Sequence, residues 1–279
     1  MPFSRSNVQP VSRSKLEVDG PILPAHIHAC GARESETMLA RYQKYVQREL
    51  GAQQCFWLAT YRGAYGRERW QHEKMHGWKV VAFATPVGGD PDFVKQQADA
   101  YLATVRKKGL DLLAAFALAH SGKTRVHSLA DVREERAQTE DWIDPHHESQ
   151  DVEERIVGVY NLSPNCESYT LVGRKPGEPP FGASEIERLR ELIVDFSRVH
   201  HWLALERGLI EPAKKPFSPR ERDVVRALLG PESENEIADR LEISRGTVHN
   251  YVVDLFRNLG VSSRHEMNQL WLDSIEIRA

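Results

Sequence analysis

Two short patterns hold side chains whose types and spacing could do chemistry. His72-Glu73-Lys74-Met75-His76 fits HExxH. On a helix, two histidines at that spacing can share a zinc ion while the glutamate serves as general base. Here the segment lies in a polar stretch, GAYGRERWQHEKMHG, between two strand-like runs. Gly77 follows it at once and no third ligand is evident. In a chain with 12 histidines such a match arises by accident, so no metal is assigned to it. His26-x-His28, His146-His147 and His200-His201 are read as solvated or capping histidines. There is no glycine-rich phosphate loop, and CFWLATYRG lacks the acidic pocket that a phosphorelay receiver needs after its first strand. No catalytic residue and no cofactor is assigned, and an enzyme built on the histidines is set aside.

The second pattern is Ser244–Leu259, SRGTVHNYVVDLFRNL. Ser244 opens a helix whose apolar set is Val248, Tyr251, Val252, Leu255, Phe256 and Leu259, with helical spacing. Three further helices open on Ser-x-x-Glu, at Ser218/Glu221, Ser233/Glu236 and Ser263/Glu266. In that box the serine hydroxyl takes the amide three residues on, and the glutamate reaches back to the serine's own amide. Pro219 stands at the first helical position, where a missing N–H costs nothing. Four such helices between Phe217 and Leu272 predict an all-α module.

A helix-turn-helix needs a small residue where its helices cross and apolar residues that lock the turn. Ala238 supplies the first; Ile237, Leu241, Ile243 and Val248 supply the second. The reading helix then begins just after Ser244 and offers its first turns to the major groove. Arg245, His249, Asn250, Val253 and Arg257 fall on its outward face. Asparagine can bond adenine bidentately, and a cation or donor suits guanine or phosphate.

Over this stretch the chain resembles the LuxR-type (GerE-like) helix-turn-helix domain. The resemblance is carried by Ser218-x-Arg220-Glu221, by Glu236-Ile237-Ala238-x-x-Leu241-x-Ile243-Ser244-x-x-Thr247-Val248, and by Leu259-Gly260-Val261-x-x-Arg264. It implies a transcriptional regulator that binds double-stranded operator DNA as a homodimer. The positions it implies at the DNA are Ser244, Arg245, Thr247, Val248, His249, Asn250, Val253, Arg257 and Arg264. Of these, His249 and Asn250 would meet bases, while Thr247, Arg257 and Arg264 would position the backbone. A last-helix dimer contact would use Met267, Leu270 and Trp271; the alternative is that Trp271 closes the module's own core. The chain departs from the pattern at His249 and Asn258, where lysine is usual, and at Tyr251, where histidine is usual.

Ahead of the reader the elements are coarser. Glu34–Leu50 has a helical stripe, Cys55–Tyr61 and Trp78–Thr85 read as strands, and Asp90-Pro91 opens a helix through about Lys107. Leu110–Ala119 reads as a helix, Thr124–Leu129 as a strand and Glu134–Glu154 as an acidic loop. Arg155–Leu162 and Ser168–Gly173 form a hairpin about Ser163-Pro164-Asn165. A capping box at Ser184/Glu187 starts one long helix through Leu203. The expected fold class is α+β, an antiparallel sheet with flanking helices followed by the four-helix reader. The divisions are a poorly ordered arm at 1–33, a sensor or regulatory domain at 34–208, a proline-flanked linker at 209–216 and the reader at 217–279.

Element order and domain pairing resemble GAF-like and autoinducer-binding sensor domains, which implies a small apolar signalling ligand. Trp57, Tyr61, Trp78 and Phe83 are the candidate lining residues. Trp57-x-x-x-Tyr61 echoes a pairing in acyl-homoserine-lactone sensors, although period two also makes it plain core packing. The alternative is a ligand-independent regulator whose N-terminal domain binds protein or dimerises. A formal charge of −3 argues against indiscriminate nucleic-acid binding. Three scattered cysteines, no membrane-length apolar run and no h-region at the start predict a cytoplasmic protein.

Overall fold

The structure, a computed structural model, describes residues 22–63, 77–84, 103, 107, 112–135 and 154–276. The HExxH segment, Trp142, the start of the helix expected at Asp90-Pro91 and most of the acidic 134–154 stretch lie outside these residues. The elements are α1 (Pro24–His28), α2 (Ser35–Glu49), β1 (Gln54–Arg62), β2 (Trp78–Ala84), α3 (Leu112–Ala119), β3 (Arg125–Ser128) and α4 (Leu129–Glu135). After them come β4 (Glu154–Ser163), β5 (Cys166–Arg174), α5 (Ala183–Asp195) and α6 (Ser197–Leu205). The C-terminal helices are α7 (Pro219–Leu228), α8 (Glu234–Leu241), α9 (Arg245–Leu259) and α10 (Arg264–Glu276). Two compact units result, the first built mainly from Ala40–Phe196 and the second from Pro24–Leu39 with Ser197–Ala279.

Local chemistry sets the helix starts in the second unit. Ser218 takes the Glu221 amide at 3.2 Å while Glu221 takes the Ser218 amide at 2.6 Å. Ser233 and Glu236 do the same at 3.4 and 2.7 Å. At α10 the exchange shifts by one residue: Ser263 accepts from Glu266, but the Glu266 carboxylate reaches the amide and hydroxyl of Ser262. The segment 209–216 falls inside this unit. Pro24–His28 is helical with Ile27 fully buried, where the sequence reading places no element.

In the first unit five strands lie in the order β2-β1-β5-β4-β3, with every pair antiparallel. One face carries Cys55, Trp57 and Ala59 beside Val172, Thr170 and Ser168, with Ile156, Gly158 and Tyr160 beyond. α2 covers it, with the Tyr42 hydroxyl 2.9 Å from that of Thr170 and the Gln43 amide donating to the Cys55 carbonyl at 2.9 Å. α5 covers it too. Its cap is not the expected serine box: α5 starts at Ala183, and Glu185 takes the Gly182 amide at 2.6 Å. The helix expected to run on to Leu203 is interrupted at Phe196 (φ −96, ψ 26), so α5 and α6 are separate.

The other face presents Phe56 and Leu58 beside Leu171, Tyr169 and Glu167, then Val157, Val159, His127 and Arg125. α3 packs there through Phe116, whose ring lies 4.9 Å from that of His127. Leu112, Phe116 and Val132 make a small core with α4.

Gly158 is where α5 comes closest to the sheet. A Cβ there would meet Ile193 Cγ2 at 2.9 Å and Leu189 Cγ at 3.1 Å. Gly158→Val is therefore expected to destabilise the protein by about 1–3 kcal/mol through overpacking. A lowered urea midpoint would show it; an unchanged midpoint would mean that α5 does not seat on β4 as described.

Candidate nucleic-acid interface

The turn between α8 and α9 is built by backbone chemistry. Glu242 ends α8 at φ 54, a left-handed conformation that few non-glycine residues adopt. The Ile243 amide then returns to the Ala238 carbonyl at 3.0 Å. Ser244 caps α9, accepting the Thr247 amide at 3.1 Å, and its hydroxyl lies 2.8 Å from that of Thr247. Gly260, at φ 70, closes the helix.

α9 has two unlike sides. Val248, Val252, Leu255, Asn258 and Leu259 are buried. Ser244, Arg245, Thr247, His249, Asn250, Val253 and Arg257 are exposed, as the outward face read from the sequence requires. Val248 does not belong with them. At 0 % exposed it is part of the unit's core, because it falls on the inner stripe that packs the helices together. Arg257 pairs with Asp254 at 2.7 Å, but both are exposed and such a pair contributes little. His249 is engaged sideways, its Nδ1 3.3 Å from Glu234 Oε1 at the start of α8.

Arg264 does something other than meet DNA. Its guanidinium donates to the carbonyls of Leu228 at 2.7 Å, Glu232 at 2.5 Å and Ala227 at 3.1 Å, and also to that of Gly230. These carbonyls lie at and just past the C-terminal end of α7, where helical partners run out and the helix dipole is negative, although Ala227 also accepts the Gly230 amide at 3.0 Å. The residue is a cap supplied from α10. The candidate dimer residues are also redistributed: Met267 is fully buried and Trp271 is 2 % exposed, with the Trp202 indole donating to the Trp271 carbonyl at 3.0 Å. Trp271 closes the unit's own core against α6. Leu270 is half-buried, and Leu272, on α10, is exposed.

Two further groups, one at the end of α9 and one just past α6, tie the helices together and carry no local sequence signal. Asn258, buried at the end of α9, accepts the amides of Lys214 and Lys215 at 2.9 and 3.1 Å and donates to the Lys215 carbonyl at 3.0 Å. Glu206, just past α6, takes Arg226 Nε of α7 at 2.7 Å and the Ser35 hydroxyl of α2. Burial works against its charge, yet Arg207 and Arg226 outweigh that and hold its carboxyl below the usual range. Arg226 also reaches Glu36 at 2.6 Å.

The four candidate ligand residues of the first unit do not converge. Trp57 is 1 % exposed and donates its indole to Ser168 at 2.7 Å, under α2. Tyr61 pairs with Cys166 on that side of the strand. Phe83 packs on Phe56, 5.9 Å between ring centroids, on the opposite face, and Trp78 is buried opposite Arg62 beyond a β-bulge. Trp57 and Tyr61 thus share a face, as period two expects, and the bulge puts Trp78 on the other face with Phe83. Instead a polar cluster stands on the second face. The buried Glu167 accepts both arms of Arg125 at 2.8 and 3.2 Å, the Tyr169 hydroxyl at 2.6 Å and the Gly122 amide at 2.8 Å. Burial, reinforced by the Glu167 charge, pushes the Tyr169 phenol up. Burial, with Arg125 next in weight, pushes His127 down to about 4. Among the described residues no cluster of three metal-ligating side chains occurs, and no helix is long and apolar enough to cross a membrane.

Residues 215–270 match the family GerE, bacterial regulatory proteins, luxR family. No curated protein sequence matches the chain. Among solved structures, Escherichia coli SdiA is similar at 15% identity, covering 91% of this chain and 96% of that one, with a TM-score of 0.40. A structure of SdiA in complex with octanoyl-rac-glycerol is similar at 16% identity, covering 90% and 91%, with a TM-score of 0.39.

Arg264→Ala removes a charged donor from four carbonyls and is expected to destabilise the helical unit by about 1.5–3 kcal/mol. Lysine, a point charge without the fork, should restore only part of this. Chemical unfolding of the two variants measures both effects, and wild-type stability for Arg264→Ala would return the residue to the DNA face.

Proposed function

From a C-terminal module that is a luxR-family helix-turn-helix domain, we infer that this chain is a sequence-specific, DNA-binding transcriptional regulator. Its reader spans 217–279, and the region 34–208 conditions it. The family is one of regulatory proteins rather than enzymes. The observation that carries the proposal is the division of α9. Donor and acceptor side chains Arg245, Thr247, His249, Asn250 and Arg257 all stand exposed, while the inner stripe anchors the helix. Such a helix enters the major groove with its N-terminal turns, where base edges distinguish the four pairs. Asn250 is assigned to a base edge and Thr247, Arg245 and Arg257 to phosphates.

In this proposal the first unit takes a small, largely apolar molecule. The support is the second sheet face, where half-buried Phe56 and Phe83 lie on a sheet that also carries the Arg125–Glu167–Tyr169 cluster. Apolar walls with a few fixed polar groups are what small-ligand sites use. The packing of Trp57 on Ser168 favours a second reading for the other face, that of a dry core in a protein-interaction or dimerisation module. A homodimer on two half-sites, acting in the cytoplasm, completes the proposal. With Met267 and Trp271 committed to the core, its α10 contact would fall to Leu270 and Leu272.

The test is selection from a randomised duplex pool. Wild type should enrich one operator. Asn250→Ala should relax preference at one base pair by about 1–3 kcal/mol. Arg257→Ala should weaken all sequences alike and reduce the salt slope by about one. A pool without any enriched sequence would overturn the proposal, and a ligand should raise melting temperature and alter DNA affinity together.

A further inference from the structure

The contact between His249 and Glu234 joins the outward face of the reading helix to the first residue of the helix before it. Its two ends differ in kind. His249 is largely solvent-facing and stands beside Asn250, where α9 meets a base edge in the reading above. Glu234 is half-buried, and its carboxylate can only accept hydrogen bonds. A neutral imidazole has one donor and one acceptor nitrogen, and the bond made by one nitrogen decides which is which. With Oε1 of Glu234 3.3 Å from Nδ1, the proton belongs on Nδ1. Nε2 is left with a lone pair facing outward.

We propose that Glu234 is a positioning residue for base readout. It holds His249 in the tautomer whose Nε2 accepts, so that His249 selects a base, adenine or cytosine, whose amino group faces it in the major groove. The inference rests on the DNA-reading function above and names what one of its positions reads. In the major groove the amino donors are adenine N6 and cytosine N4, whereas guanine O6 and N7 and thymine O4 are acceptors. An Nε2 lone pair meets the first pair favourably and repels the second. A histidine turned the other way would do the reverse.

Lysine separates this from simple charge. Its ammonium has donors and no acceptor, so in Glu234→Lys it donates to Nδ1, which moves the ring proton to Nε2 and makes that nitrogen a donor. Glu234→Lys and Glu234→Ala both remove a negative charge near phosphates, so both should strengthen binding to all sequences alike. The alanine should weaken the base preference, and only the lysine should reverse it. His249→Ala, in either background, should abolish the preference at that position and leave the others standing.

Two measurements on the full-length chain at pH 8 decide it. In selection from a randomised duplex pool, wild type is expected to favour adenine or cytosine at one half-site position by roughly tenfold. Glu234→Lys should favour guanine or thymine at the same position. Long-range 15N–1H NMR of the DNA-free protein should show His249 protonated at Nδ1 in wild type and at Nε2 in Glu234→Lys. If both proteins enrich the same operator with the same base at every position, the positioning role is overturned while DNA reading stands. An identical tautomer in both proteins overturns it as well. A pool in which wild type enriches nothing removes the DNA-reading function, and this inference with it.

Discussion

The carboxylate of Glu206 is fully buried, and it is met by Arg226 from α7, by the adjacent Arg207 and by the Ser35 hydroxyl from the start of α2. Desolvating a carboxylate costs several kcal/mol, and only close opposite charges with hydrogen bonds offset it. Here they do, since its carboxyl is held below the ordinary range despite the burial. The reverse is costly: removing one partner from such a site costs about 3–5 kcal/mol, against roughly 5–15 kcal/mol for a whole domain. The seat of α7 on α6 and α2 therefore depends on this group, and α8 and α9 are built outward from α7.

Much of the helical unit was legible because its signals are local. A serine and a glutamate three residues apart meet whatever the rest of the chain does, and Ser218/Glu221 and Ser233/Glu236 close as the spacing requires. The inner and outer stripes of α9 follow from 3.6-residue periodicity alone. What was not legible depends on distance. Arg264 finds carbonyls more than thirty residues away along the chain, and Ser35 meets Glu206 across a separation of 171. No window of sequence contains such pairs. Val248 was misassigned for a subtler reason: it lies between two contact positions in the chain but a hundred degrees round the helix from each of them.

The sheet shows the same division. The five strands, to within a few residues of their ends, and the hairpin about Pro164-Asn165 follow from alternation and turn residues, whereas the order β2-β1-β5-β4-β3 does not. Trp57 and Tyr61 share one face of β1, but Phe83 stands opposite Leu58 and so on the other face, and beyond the register shift between Ala59 and Thr60 Trp78 stands opposite Arg62 on that face too. Period-two reasoning holds only while the pairing is regular. The buried Glu167 with Arg125 and Tyr169 escaped notice since each, taken alone, is an unremarked polar residue in a strand.

The carboxamide of Asn258 has a mechanical consequence. A free tether the length of 209–216, eight residues, would let its ends wander over roughly 15 Å. In this unit Lys214 and Lys215 are pinned to the reading helix, and the Phe217 amide is tied to the Arg207 carbonyl at 2.9 Å. The stretch is a strut rather than a leash. A twist applied to α6 would arrive at α9 with little backlash, so an angular change too small to unseat any helix would still turn the exposed face of α9.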